Sequence, residues 1–325
     1  MKKIISTIIL SLFITSISFA QSLSKISGLV YYDYYYNLKN KDISKQDQQG
    51  FQFRRVFLTL DFDVTNKLSA RFRLEPEYQG LNREGNNKQF LFLKDMFFQY
   101  KFDSFQLLAG LMPTPNFEVE ERYWGYRSVE RTQSDLRGWI TIRDLGISLK
   151  GKLNENVNYA VMLGNNSFHG TETDKYKKLY FHFFSLLGNN IGASVDFNFA
   201  NGPQNKNVLY SKLGLYRSTN NYSGGLTFVY GLRQKLLSND ENLNEYGLSV
   251  FGNYKLSDDW KALLRFDIYE PNTKASSDRE FTLIGGIDYK LDKNLSLIPN
   301  IIYNDYENRI FQDDLTFRLT FHYQF

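Results

Sequence analysis

Residues 313–325 read DDLTFRLTFHYQF. Taken alternately, Leu315, Phe317, Leu319, Phe321, Tyr323 and Phe325 fall on one side, and Thr316, Arg318, Thr320, His322 and Gln324 on the other. A period of two marks a strand with one apolar and one polar face. A terminal strand that ends on a bare aromatic residue frays in water. Its apolar face therefore implies contact with something other than water.

The same pattern recurs upstream. In GFQFRRVFLTLDFDVTNKLSARFRLEPEYQG (50–80), Val56, Leu58, Leu60, Phe62 and Val64 alternate with Arg55, Phe57, Thr59, Asp61 and Asp63. After the turn TNK, Leu68, Ala70, Phe72 and Leu74 alternate with Ser69, Arg71, Arg73 and Glu75. Two alternating segments joined by a tight turn form a hairpin. The pattern predicts strands over 24–37, 51–64, 68–79, 90–102, 105–112, 139–153, 157–165, 178–187, 191–200, 208–217, 222–235, 245–256, 260–270, 279–291, 295–304 and 314–325. Short links (TNK, DS, NEN, STNN, SDD, DKN) alternate with longer ones (38–50, 113–138, 165–177, 236–244). Bacterial outer-membrane barrels combine an even number of strands, short periplasmic turns and longer extracellular loops in this way. The expectation is an all-β fold, a transmembrane antiparallel β-barrel of about 16 strands.

Residues 1–22, MKKIISTIILSLFITSISFAQS, carry two lysines, an apolar stretch from Ile4 to Phe19 and small residues at 18 and 20. They read as a secretory signal peptide cleaved near Ala20, which leaves 21–325 as a single barrel domain. Aromatic residues make up 17% of the chain while mean hydropathy is −0.42. Strands with one lipid-compatible and one polar face reconcile the two values. With no cysteine, such a barrel holds together by strand pairing and packing alone. A soluble sandwich or propeller would need a second sheet to cover the rings, and strands of this length exceed those usual in such folds. Tyr32, Tyr34, Tyr36, Tyr323 and Phe325 suit aromatic girdles at the lipid boundary.

Two resemblances sharpen this reading. The ending FHYQF (321–325) is similar to that of many outer-membrane barrels, whose terminal phenylalanine is read by the assembly machinery. It implies that Phe325 is an assembly signal. The stretches FQFRRVFLTLDFDVTNKLSARFRLEPEY, LLAGLMPTPNFEVEERYWGYRSVERT and IRDLGISLKGKLNENVNYAVMLGN together resemble the phosphate-selective porin O and P family over about residues 50–165. The recurring features are the paired arginines Arg54 and Arg55, a Gly–Pro turn at Gly110 to Pro113, Glu130–Arg131 late in the third loop, and Arg143, Asp144 and Gly146.

The resemblance implies a sixteen-stranded, usually trimeric diffusion channel whose long third loop folds inward. It also implies passage of small hydrophilic solutes, phosphate or other anions among them. The family's selectivity rests on a ladder of arginines and a lysine cluster, and this chain departs from that excess. Basic and acidic residues assigned to the lumen nearly balance. The formal charge of +4 falls to +2 once Lys2 and Lys3 leave, which gives no strongly electropositive funnel.

The third loop concentrates Glu118, Glu120, Glu121, Arg122, Arg127, Glu130 and Arg131, with Tyr123, Trp124 and Tyr126 between them. Such a loop is either a solvated surface segment or a constriction with carboxylates and guanidiniums on opposite walls. Its rings need a packing surface, which favours the constriction. Arg55, Arg71, Arg73, Arg265 and Arg318 are candidates for a basic track on the lumen wall. Alternatively the arginines of the first hairpin pair with Asp61, Asp63, Glu75 and Glu77, and Arg54 faces outward near the rim and snorkels.

No enzyme, cofactor or metal is expected. His169, His182 and His322 belong to no hydrolase motif, and His182 and Ser185 fall on opposite faces of one strand. A surface receptor or adhesin on a closed barrel, or an outer-membrane hydrolase, are the alternatives. The expected setting is the outer membrane of a Gram-negative-type bacterium. The expected partners are the lipid bilayer and its lipopolysaccharide, the barrel-assembly machinery, small solutes and further copies in a homotrimer, with no nucleic acid.

Overall fold

The computed structural model describes residues 23–76, 91–168, 170, 172–237 and 240–325. The signal peptide with its cleavage site, Glu77 and His169 lie outside the described residues. Sixteen strands are present among those described. They are β1 (Leu23–Lys39), β2 (Gln49–Asp63), β3 (Leu68–Pro76), β4 (Leu91–Lys101), β5 (Phe105–Pro113) and β6 (Arg143–Lys152). Next come β7 (Val157–Gly164), β8 (Lys178–Gly188), β9 (Ile191–Ala200), β10 (Val208–Ser218) and β11 (Tyr222–Arg233). The last are β12 (Leu243–Lys255), β13 (Trp260–Glu270), β14 (Glu280–Asp292), β15 (Leu295–Tyr306) and β16 (Asp314–Gln324). Every strand pairs antiparallel with its sequence neighbours, and β1 pairs with β16 to close the barrel. Closure leaves no open edge, so the backbone groups of every strand find partners without water.

Tight turns and both ends of the described chain share one end of the barrel. The β8–β9 turn shows the local chemistry. Gly188 pairs with Ile191 across Asn189 and Asn190, both at positive φ (50° and 62°). Asparagine tolerates that left-handed pair, whose twist matches the flanking strands.

The predicted alternation holds around the wall. On β13, Leu264 and Phe266 face outward while Arg265 and Asp267 are buried inside. Rings cluster on the outer face. Tyr32 lies 5.1–5.9 Å from Phe51, Phe53 and Phe321, centroid to centroid. At the turn end Trp260 stacks on Tyr289 at 4.3 Å, and Tyr323 meets Phe325 at 5.7 Å.

The packed core sits inside the barrel. Val119, Trp124, Tyr126 and Val129, all in the β5–β6 connection, pack against Phe184, Tyr216, Phe251, Leu263, Ile284, Ile298 and Ile302 on the inner wall. That connection, loop 3, holds two short helices, α1 (Glu118–Trp124) and α2 (Gln133–Leu136).

Two sequence expectations are corrected. The strand expected over 139–153 begins only at Arg143, and Trp139, Ile140 and Ile142 are buried within loop 3 instead. The Trp139 indole donates to Glu245 (2.9 Å) and lies over Gly247, where a Cβ would come within 2.2 Å of the ring. The Gly110–Pro113 segment is not a turn but the end of β5. Gly110 adopts φ +127°, and a Cβ there would lie 2.3 Å from the Met96 carbonyl oxygen.

Phe325 exchanges two backbone hydrogen bonds with Gly28 (2.9 and 3.1 Å), and its ring fills the space that a side chain at Gly28 would need. Deleting Phe325 removes the last pair of the β1–β16 seam. The expected result is less heat-modifiable, folded protein on unboiled gels, in vitro and in outer-membrane fractions. Unchanged yield in both would reject the terminal residue as a determinant of assembly.

Candidate functional site

The inner wall from β2 to β4 carries more charge than strict alternation allows, and two β-bulges explain why. Between β1 and β2 the register steps from Tyr31↔Arg55 to Tyr32↔Phe53, so Arg54 is an extra residue. Between β3 and β4 it steps from Arg73↔Asp95 to Leu74↔Leu93, which makes Lys94 extra. A bulge lets consecutive side chains share one face. Arg54 therefore points inward beside Arg55, contrary to the outward placement, and Lys94 points inward beside Asp95. Repetition of the device at the sequence pairs 54–55 and 94–95 suits a lumen that needs paired charges.

These charges satisfy one another. Arg54 binds Asp33. Glu75 takes Arg55 at 3.2 Å and Lys94 at 2.7 Å. Asp61 receives Arg71 through two bonds of 2.7 and 3.0 Å, and Asp95 receives Arg73 at 3.0 Å together with Arg143. On β13, Arg265 is clamped by Asp267 at 2.5 Å and lies 5.5 Å from the Trp124 ring. Arg318 reaches Glu130 at 3.4 Å and the Val129 carbonyl at 3.1 Å. Of the two readings of the arginines, the geometry is that of ion pairs. A guanidinium already held by carboxylate has fewer donors left for a solute.

Loop 3 crosses the interior on polar anchors as well as apolar ones. The Lys212 ammonium donates to the Asn116 carbonyl (2.6 Å) and Glu120 (3.1 Å) and faces Asp196 at 3.4 Å. Asp196 also meets His182 at 2.6 Å, and Glu120 accepts from Ser134 at 2.7 Å. The Tyr126 hydroxyl donates to Asp288 (3.0 Å), and Gln133 donates to the Ile268 carbonyl (2.8 Å). Arg137 pairs with Glu280 at 2.5 Å, and Arg54 donates to the Ser128 and Val129 carbonyls.

The seven loop candidates separate into two groups. Glu120 is fully buried, and Arg127 is pinned between Glu121 and Asp135 at 2.6 Å each. Burial raises the Glu121 carboxyl above its usual range, against the opposing pull of Arg127 and Arg55. Burial works the same way on Glu130, but Arg318, Arg54 and the Arg131 amide outweigh it and hold that carboxyl at about 2. These four residues fasten the loop. Glu118, Arg122 and Arg131 are exposed. Glu118 and Arg122 line a cavity of about 580 Å³ at the turn end, between α1 and the wall of β5–β8. Arg131 lies apart from them, its backbone carbonyl on Arg265 and its side chain near Glu130.

The sequence profile of the family described as Phosphate-selective porin O and P matches residues 25–122. No curated protein matches the chain by sequence. Among solved structures, the anion-selective porin from Comamonas acidovorans superposes with a TM-score of 0.72 at 12% identity, over 93% of this chain and 99% of that one. The outer membrane channel DcaP of Acinetobacter baumannii gives 0.70 at 12% identity, over 93% and 96%. The in-vitro folded OmpT of Vibrio cholerae in its trimer form gives 0.64 at 12%, over 93% and 98%. The fold is that of the outer-membrane porins.

The matched profile begins at β1 and ends at Arg122, so the resemblance noted at Glu130–Arg131 and Arg143–Asp144 lies beyond it. In this porin fold those residues have plain structural partners. Arg143 shares Asp95 with Arg73, while Asp144 accepts from the Tyr180 hydroxyl (2.8 Å) and the Asn166 amide (2.9 Å). Lys94, Asp95 and Lys178 are buried polar groups that the sequence reading did not single out. The first two were hidden by a broken alternation.

Proposed function

We propose that the chain forms a water-filled diffusion channel for small hydrophilic solutes, anions among them, in the outer membrane, with loop 3 as its constriction. The observation that carries this reading is the placement of an anchored loop inside a closed, charge-lined barrel, with two exposed charges facing an open cavity beside it. The matched profile and the porin fold support the channel and its outer-membrane setting. Cleavage near Ala20, contact with lipopolysaccharide, recognition of Phe325 by the assembly machinery and a homotrimer belong to the same proposal.

On this reading, charge preference rests on fewer residues than the loop cluster contains. Arg127 is neutralised and buried, and the arginines of β2 and β3 are paired. The preference then falls to Arg122 and Glu118, because a charge beside a narrow, partly dehydrated passage acts on passing ions with little screening. In planar bilayers under a salt gradient, Arg122→Ala is expected to move the reversal potential towards cation preference and Glu118→Gln towards anion preference. Parent-like potentials in both variants would place the selective region elsewhere.

A second reading, a closed barrel that displays its loops as a receptor or adhesin, is favoured by one observation. Trp124 and Trp139 are completely buried, so loop 3 fills much of the interior. Refolded protein that inserts into bilayers but carries no current in molar salt would support it.

A further inference from the structure

The cavity of about 580 Å³ has two kinds of wall. Phe105, Leu108, Val119 and Phe184 give it an apolar side, and Arg122 on α1 with Lys150 and Lys152 on β6 bring positive charge to it. Arg122 differs from the arginines of β2 and β3. Its side chain makes no hydrogen bond or ion pair among the described residues, and its guanidinium lies 5.9 Å from the rings of both Tyr123 and Phe184. It is held by aromatic faces with its donors free.

A guanidinium with free donors binds a carboxylate bidentately, and a nearby ammonium adds a second charge. The apolar wall rewards a ligand that carries hydrocarbon on the other side, because burying that surface is favourable in proportion to its area. Inorganic phosphate has no such surface and must shed strongly held water against Phe105, Leu108 and Phe184. Glu118 and Asp103, in the same lining, offset two of the three positive charges of Arg122, Lys150 and Lys152, so a single negative charge neutralises the site.

We propose that this cavity is a solute-binding subsite for small organic monocarboxylates with an apolar or aromatic body, with Arg122 as its anchor. The proposal rests on the channel reading, since the cavity is then a station on the path of the solute. It assigns recognition to the loop and β5–β8 rather than to the paired arginine wall of β2–β4.

The test uses the refolded full-length mature chain in planar bilayers. Potassium chloride current is recorded first, then titrated with sodium benzoate and, separately, with inorganic phosphate at equal ionic strength. Benzoate is expected to reduce the current in a saturable way at concentrations where phosphate changes it little. Arg122→Ala should weaken the benzoate effect about tenfold or more, the loss expected for one charge-assisted pair. Glu118→Gln should strengthen it, and both variants should still conduct in potassium chloride, each with the shifted ion preference given above. Loss of chloride current in the parent would overturn the channel reading itself. A conducting parent that phosphate blocks as well as benzoate, that neither anion blocks, or whose benzoate response survives Arg122→Ala would overturn the subsite.

Discussion

Lys212→Met is expected to destabilise the folded barrel by about 3–5 kcal/mol, the usual cost of leaving a buried charge without its partner. The ammonium is 3% exposed and stands between Glu120 and Asp196, which are 0% and 2% exposed as side chains. Its removal leaves the buried Glu120 carboxylate without its cation and Asp196 with His182 alone, and it frees the start of loop 3, because the Asn116 carbonyl loses the same donor. Urea unfolding in detergent, followed by the gel shift between folded and boiled forms, gives the number. Adding Glu120→Gln should return part of the loss, since it removes the charge left without a cation. If the single variant unfolds like the parent, the Lys212 cluster does not anchor the loop.

The second large effect concerns the loop itself. Replacing residues 117–139 with a short Gly–Ser linker removes Trp124, Trp139 and the polar anchors on β9–β14. Conductance in molar potassium chloride is expected to rise severalfold, because the removed segment packs against the inner wall from β8 to β16. Stability should fall at the same time. Phe251, Leu263, Ile284 and Ile298 would lose the side chains that cover them, and uncovered apolar surface costs free energy in proportion to its area. A shortened variant that folds and conducts like the parent would show that loop 3 does not limit the passage.

Where the chain alternates without interruption, its sequence is transparent. β16 can be read residue by residue, since lipid on one side and a polar interior on the other impose a period of two without exception from Leu315 to Phe325. Most strand boundaries lie within two residues of the pattern for the same reason. The bulges were opaque: consecutive arginines at 54 and 55 look like one inward and one outward charge, and only pairing with Tyr31 and Tyr32 shows that both turn inward. Inner-wall Leu263, Ile284, Ile298 and Ile302 give a lumen that is apolar on one side, which a polar-in rule does not anticipate. They face inward because loop 3 covers them.

The charges of loop 3 were visible as a cluster, but their division was not. Arg122 and Arg127 are both arginines in a mixed-charge helical region, separated by a left-handed Gly125 at φ 71°. That turn sends Arg127 towards Glu121 and Asp135 and leaves Arg122 on the cavity side. A contact between residues brought together by one glycine and two short helices has no periodic signature in sequence.

Water and ions are proposed to pass beside loop 3, along its Glu118–Arg122 face. The chain has no cysteine, so single thiols can be placed without background. Glu118→Cys and, as a buried control, Val129→Cys, whose parent side chain is 0% exposed, would each be inserted into bilayers and treated with a charged methanethiosulfonate reagent during recording. A stepwise fall in single-channel current is expected for Glu118→Cys and no change for Val129→Cys. Channels that conduct but ignore the reagent at position 118 would contradict it.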